Sequence, residues 1–349
     1  MTHPDKQRSR HPASDHSTIR LTVQQPGLPH YRLAVFRELA KRPDVQLKVM
    51  YARNAINATI EEVRGFEAVC TPNQEFRLGR LTLYWHAPQW NHASFTRSDV
   101  LVLCLDMHYL SLVPALLRAR AAGVPTLLWG HGYSKVETLW CSLLRHAVAR
   151  LATALVFYNH AVARSYVDSG WEPERVHVAL NSLDQAPIQE ARRHWLAHPQ
   201  RLADFRREHH LGHGKEYPTL IFVSRLEAAN RLDLLIEAAA MLRADYPRIQ
   251  IIVIGKGEAE PELRLQSQAL GLSGQIFFPG AIYDEMQLAP WFLSADVYCY
   301  PASIGLSLLH AFGYGLPVVT SDCLQQHLSL INISEPTRLR RISYAVFCL

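Results

Sequence analysis

Residues Asp296 to Asp322 constrain the fold more than any other part of the chain. Val297–Tyr300 is a short β-rich run, and Pro301–Gly305 carries turn chemistry. Leu306, Leu309, Ala311 and Phe312 line one side of a short helix that Gly315 ends. Leu316–Thr320 then reads as a second buried strand, so the order predicts a parallel βαβ unit. Ligands of open α/β sheets bind beyond the carboxyl ends of such strands. Here that place is the loop Ser303–Leu306, whose N–H groups and following helix N-terminus suit an anion.

The same alternation of strand, turn and helix runs through the chain. Ile19–Val23, Val45–Tyr51, Leu81–Trp85, Asp99–Leu105, Val124–Trp129, Ala154–Tyr158 and Val176–Leu180 read as strands of a first half. Thr219–Ser224, Ile249–Ile254 and Gln275–Phe278 open a second. The expected domains are 19–184 and 216–327, joined by a charged linker and connecting helix over 185–215, after a polar, disordered tail at 1–18. With 349 residues, 48% of them apolar, the chain has material for two such domains.

A formal charge of +5 does not indicate nucleic acid, and fits a nucleotide diphosphate or lipid headgroup equally well. The six cysteines include no CxxC pair, and the eighteen histidines form no HExxH pattern. Buried, reduced thiols and no metal are therefore expected. No apolar run approaches the length of about 18 residues needed to span a bilayer. Val136–Leu151, with Lys135, Arg145, His146 and Arg150 around it, leaves two readings open: a core-facing helix with a solvated basic face, or a helix resting on an anionic membrane.

Several turns carry candidate site residues. Gly130-His131-Gly132 follows the strand ending at Trp129, so the imidazole can donate to a phosphate or sugar oxygen, and the glycines admit close ligand approach. Asp106 ends another strand. Arg225 follows a buried strand and suits phosphate. Gly255-Lys256-Gly257 lacks the full dinucleotide fingerprint, which disfavours a nicotinamide cofactor.

The stretch from Pro301 resembles the Pro-Ser-x-x-Glu-Gly-Phe-Gly-Leu-x-x-Leu-Glu-Ala-Met-Ala-x-Gly-x-Pro-Val-Val segment of family-4 retaining glycosyltransferases, which have the GT-B fold. The matching residues are Pro301, Gly305, Leu306, Leu309, Ala311, Gly315, Pro317, Val318 and Val319. The resemblance covers Ile19 to His327 and is most specific from Phe222 to Asp322. It implies an α/β chain of two facing Rossmann-like domains, the second incomplete. It further implies transfer of a sugar from a nucleotide-sugar donor to a saccharide or lipid-linked acceptor with retention, in cell-surface polysaccharide or glycolipid synthesis. The cofactor expected is none, the donor being a substrate; the partners exclude nucleic acid; the location is cytoplasmic, with possible contact at the inner face of a membrane. A non-catalytic binding or scaffolding protein on the same fold is the alternative, and an epimerase a third reading for which no extra acidic residues are found.

By the same resemblance, His131 and Arg225 are catalytic. Arg231, Gly255, Gly257, Gly280, Gly305, Leu306 and His310 bind the donor, and Gly27, Tyr31 and Asp106 lie on the acceptor side. Asn181–Asp184 resembles the family's interdomain crossing. The departures fall at the donor site. The family's two glutamates fall on Ala302 and His310, a glycine falls on Ser224, and a lysine falls on Asn230, with Arg231 beside it to supply the charge. Residues 328–349 fit no expected element and read as the translation of a transposase-type sequencing adapter, so they are expected to be non-native.

Overall fold

A computed structural model describes residues 18–53, 63–79, 81–133, 138–302, 304–321 and 346–348. The chain divides into two compact units, Met1–Ala179 and Leu180–Leu349.

The first unit is built on strands β1 (Ile19–Gln25), β2 (Val45–Tyr51), β3 (Glu67–Cys70), β6 (Val100–Cys104), β7 (Thr126–Gly130), β8 (Ala154–Phe157) and β9 (Val176–Val178). They pair in the order β3-β2-β1-β6-β7-β8-β9, every pair parallel. Strands β4 (Gln74–Leu78) and β5 (Leu81–Trp85) form a separate antiparallel hairpin. Helices α1 (His30–Ala40), α2 (Ala87–Asn91), α3 (Leu112–Ala121), α4 (Leu139–Ala149) and α5 (His160–Asp168) connect them. One core cluster gathers Leu101, Leu103, Leu116, Leu128, Leu155 and Phe157, and a second gathers Val23, Phe36 and Val49. The strand order reverses between β1 and β6, which places the ligand crevice of such a sheet at their carboxyl ends.

The second unit begins with α6 (Ala186–Leu196) and α7 (Pro199–Glu208). Where one connecting helix is expected there are two, and Ile188, Ala191, Trp195 and Leu202 are part of this unit's core. The Trp195 indole N–H donates to Met286 O at 2.8 Å. Strands β10 (Thr219–Val223), β11 (Gln250–Ile254), β12 (Ile276–Gly280), β13 (Val297–Tyr300), β14 (Val318–Thr320) and β15 (Val346–Cys348) alternate with α8 (Leu232–Leu242), α9 (Glu260–Ala269), α10 (Glu285–Phe292) and α11 (Ser307–Tyr314). Their order is β12-β11-β10-β13-β14-β15, again all parallel. β11 is buried along its whole length, as a near-continuous apolar strand covered on both faces must be. Gly315, at φ 83°, ends α11 as expected. Of the segment expected to be non-native, only Val346–Cys348 falls within the described residues, as the edge strand beside β14.

Helix α4 corrects one expectation. Its apolar side chains divide: Leu139 at 84%, Trp140 at 82%, Leu143 at 61% and Leu144 at 57% exposure face solvent, while Val148 and Ala149 are buried in the core and Arg145 is buried with them. The reading of a core-facing helix therefore holds for its last turn and fails for its first two turns, whose apolar side chains are exposed. Among the described residues no helix is long and apolar enough to cross a membrane.

Candidate functional site

In the second unit the strand order reverses between β10 and β13, and the loops at that point build a cavity of about 310 Å³. Arg225, Gly255, Lys256, Tyr283, Glu285 and His310 are among its lining residues. Arg225 leaves the end of β10 and pairs with Glu227 at 2.7 Å, its side chain largely in solvent. Lys256 follows β11 and brings a second cation. Glu285 opens α10, one residue after Asp284, whose carboxylate caps the helix by accepting from the Gln287 N–H. His310 lies in α11, and its Nε2 is 2.6 Å from Glu285 Oε1, while Tyr314 donates its hydroxyl to Glu285 Oε2 at 3.1 Å. Phe292, His310 and Tyr314 stack, with centroids of 5.3 and 4.6 Å to Phe292.

The position expected to carry a lysine has another task. Asn230 donates to Arg225 O at 2.7 Å and to Ser224 Oγ at 3.2 Å, and accepts from Tyr300 at 2.9 Å. It fixes the loop that presents Arg225. Arg231 does not line the cavity; it sits at φ 52° and is held by Asp233 at 3.0 to 3.1 Å.

The two glycines after β11 are required by the protein itself. A Cβ at Gly255, where φ is 149°, would lie 1.8 Å from Ser224 O, and one at Gly257 would lie 2.1 Å from Leu226 O. Their backbone instead closes on the Arg225 loop, with Leu226 N–H donating to Lys256 O at 3.0 Å. Gly280, at φ 89°, sits next to Lys256. Gly305 and Leu306 precede α11, which has no side-chain cap at Leu306. Ser303 of the same loop lies outside the described residues.

In the first unit, His131 follows β7 with its ring 4.6 Å from that of Tyr158. The protein packed around the imidazole and, second, the charge of Arg32 hold its pKa below the ordinary value. The glycines beside it are required by packing within the unit. A Cβ at Gly130 would meet Leu105 Cβ at 2.8 Å, and one at Gly132 would meet Val162 and Phe157 at 2.6 and 2.7 Å. Asp106 accepts from the His108 N–H at 3.0 Å, and its Oδ1 is 2.8 Å from His108 Nδ1. Gly27 is buried in the turn after β1, and Tyr31 is half-buried in the first turn of α1.

Sequence reasoning missed Lys256, Glu285 and Arg32. Lys256 stands inside a turn already singled out, and Asp284-Glu285 has the look of a helix start. Nothing in the spacing links Glu285 to His310.

Residues 205–332 match the family described as Glycosyl transferases group 1. A phosphatidyl-myo-inositol mannosyltransferase of Mycolicibacterium smegmatis is 35% identical over 116 residues, 32% of this chain and 29% of that protein. A D-inositol 3-phosphate glycosyltransferase of Jonesia denitrificans is 30% identical over 166 residues, 43% of this chain and 36% of that protein. The matches to these curated relatives thus span about a third of their length. Among solved structures, HepE of Anabaena in complex with UDP superimposes with a TM-score of 0.63 at 19% identity, covering 87% of this chain and 81% of that one. The lipopolysaccharide-synthesis glycosyltransferase WaaG gives a TM-score of 0.54 at 16% identity, covering 87% and 81%. At these identities the likeness is one of fold. The fold is GT-B, an α/β chain of two Rossmann-like units with parallel sheets.

Proposed function

We propose that the chain belongs to a glycosyltransferase that moves a sugar from a nucleotide-sugar donor to an acceptor hydroxyl with retention at the anomeric carbon. The observation that carries this reading is the cavity at the carboxyl ends of the second sheet, where Arg225 and Lys256 meet the His310–Glu285 pair. Two cations suit a diphosphate. The Glu285 carboxylate can accept from ribose hydroxyls, so α10 supplies the acidic group that position 310 lacks. Tyr283, 85% exposed at the rim, offers a ring face to a base. The N–H groups before α11, at Gly305 and Leu306, add positive potential for phosphate.

The chemistry proposed is front-face. The anomeric C–O bond to the leaving phosphate breaks as positive charge develops on the sugar. The acceptor oxygen bonds to the same face, and its proton passes to the leaving phosphate oxygen. The enzyme's contribution is positioning and neutralising charge. Arg225 serves the leaving diphosphate, and His131, neutral near pH 7, orients the sugar or a phosphate. Arg231, bound to Asp233, acts at most behind Arg225. Gly27, Tyr31 and Asp106 belong to the acceptor side.

The names of the relatives, an inositol-phosphate glycosyltransferase and a phosphatidyl-inositol mannosyltransferase, favour glycolipid or polysaccharide synthesis, with a saccharide or lipid-linked acceptor. The apolar outer face of α4 fits a cytoplasmic enzyme in peripheral contact with the inner face of a membrane.

The test is calorimetric titration of UDP and other nucleoside diphosphates, followed by a transfer assay with their sugars. Arg225→Ala is expected to weaken donor binding by about tenfold or more. Unchanged affinity removes Arg225 from the site. Binding without turnover over a panel of acceptors favours the reading of a non-catalytic binding protein, for which the alanine at position 302 is the supporting residue.

A further inference from the structure

Among the described residues, Arg32 is a buried cation with no carboxylate bonded to it. It is 8% exposed, in the first turn of α1. Its guanidinium carbon lies 4.5 Å from the ring centroid of Trp129 and 5.0 Å from that of Tyr158. One terminal nitrogen, Nη2, donates to the Tyr158 hydroxyl; the other, Nη1, is buried with no hydrogen-bond partner. Two more donors of the same ring cluster, Trp129 Nε1 and the Tyr133 hydroxyl, are also buried without partners.

The surrounding field makes this harder to explain as packing alone. A helix N-terminus carries positive potential, so a cation in the first turn is in the wrong place. The first turn of α1 has no acidic residue, and Pro29 provides no side-chain cap. Cation–π contacts offset part of the loss of hydration, but rings bring no opposite charge. The cluster lies at the carboxyl ends of β1, β7 and β8, next to the point where the strand order reverses. His30 is exposed beside it, and Tyr31 is half-buried.

We propose that Arg32 is the centre of a subsite in the first unit that binds a phosphate-type oxyanion of a substrate. Nη1 donates to the oxyanion, and the α1 N-terminus adds its field. Cation and helix end then share a countercharge that no carboxylate among the described residues supplies. Whether the oxyanion is a phosphate on the acceptor or the diphosphate of the donor rests on the reading of glycosyl transfer above; the subsite itself does not.

The experiment titrates the full chain with glycerol phosphate and, separately, with UDP, in the parent, Arg32→Met, Arg32→Lys and Arg225→Met. The expected result is that Arg32→Met weakens one of these ligands by about tenfold or more, with Arg32→Lys between it and the parent. Loss of glycerol phosphate binding, with UDP binding unchanged, assigns the subsite to an acceptor-borne phosphate. Loss of UDP binding in a parent that ignores glycerol phosphate assigns it to the donor. Arg225→Met separates the two proposals, because it tests the donor cavity and leaves Arg32 in place. Equal affinities of parent and Arg32→Met for both ligands overturn the inference. Should Arg32→Met fail to fold, Arg32→Lys decides: affinities for both ligands equal to the parent's overturn the inference. A parent Tm that responds to neither ligand also overturns the inference.

Discussion

His310 Nε2 stands 2.6 Å from Glu285 Oε1, joining the middle of α11 to the first turn of α10 across the wall of the second unit's cavity. The pair is partly buried, with side-chain exposures of 21% and 18%. Tyr314 completes it from the next turn of α11. One carboxylate therefore holds two residues of a neighbouring helix and still borders the cavity.

Removing either partner should weaken donor binding without unfolding the unit. Glu285→Gln is expected to reduce UDP affinity by about tenfold, and His310→Ala by less, since only the first removes the charge. A double-mutant cycle on UDP affinity should show coupling of about 1 kcal/mol or more. Donor affinity unchanged in His310→Ala would make that residue structural.

Gly255→Ala should disable the site through the backbone. The added methyl would meet Ser224 O at 1.8 Å, at a φ of 149° that disfavours any side chain. The loop carrying Arg225 must then move. We expect a loss of about 2 kcal/mol or more in denaturant unfolding, together with weaker UDP binding. A variant with parental stability and affinity would show that the loop does not depend on this contact.

Acid should destabilise the first unit through His86. Burial lowers its pKa to about 4 from the ordinary 6.5. The folded pKa is the lower one, so between these values the unfolded state binds the extra proton. Stability is then full above about pH 6.5 and falls as pH drops toward 4, by up to about 3 kcal/mol. His92 and His131 are shifted in the same direction, chiefly by burial, and add to the trend. Urea unfolding of parent and His86→Phe at pH 7.5 and 5 measures it. The same pH slope in both proteins would exclude His86 as a source.

The face of α4 predicts a surface phenotype. Trp140→Glu with Leu143→Glu should abolish co-sedimentation with vesicles containing phosphatidylglycerol while leaving Tm unchanged, because both side chains are exposed in the folded chain. Equal sedimentation of parent and variant would remove the membrane role.

The elements legible in the sequence are those whose pattern repeats their environment. β11 reads as an unbroken apolar run because both faces are covered, and α11 reads as a helix up to Gly315 because that residue takes the left-handed conformation. β3 and β4 were not legible. β4 is exposed at every position and pairs only as a hairpin, so no alternation marks it. The second reason is tertiary. Glu285 and His310 are 25 residues apart, and the neighbours that leave Arg32 without countercharge come from β7 and the end of β8. In α4 an apolar stripe does not by itself say which turns reach the core: Val148 and Ala149 do, whereas Leu139, Trp140, Leu143 and Leu144 are exposed.

The entry of the chain into the second unit also bears on the helix that carries His310. Gln185 Nε2 donates to Leu309 O at 3.2 Å. A Cβ on Gly313 would lie 2.6 Å from Gln185 Oε1 and 2.7 Å from Ile188, so the chain and α11 touch at a glycine. From Gln185 onward, the connecting segment and α11 are thus one mechanical piece. Strain applied at Gln185 or Ile188 would therefore arrive directly at the helix that carries His310.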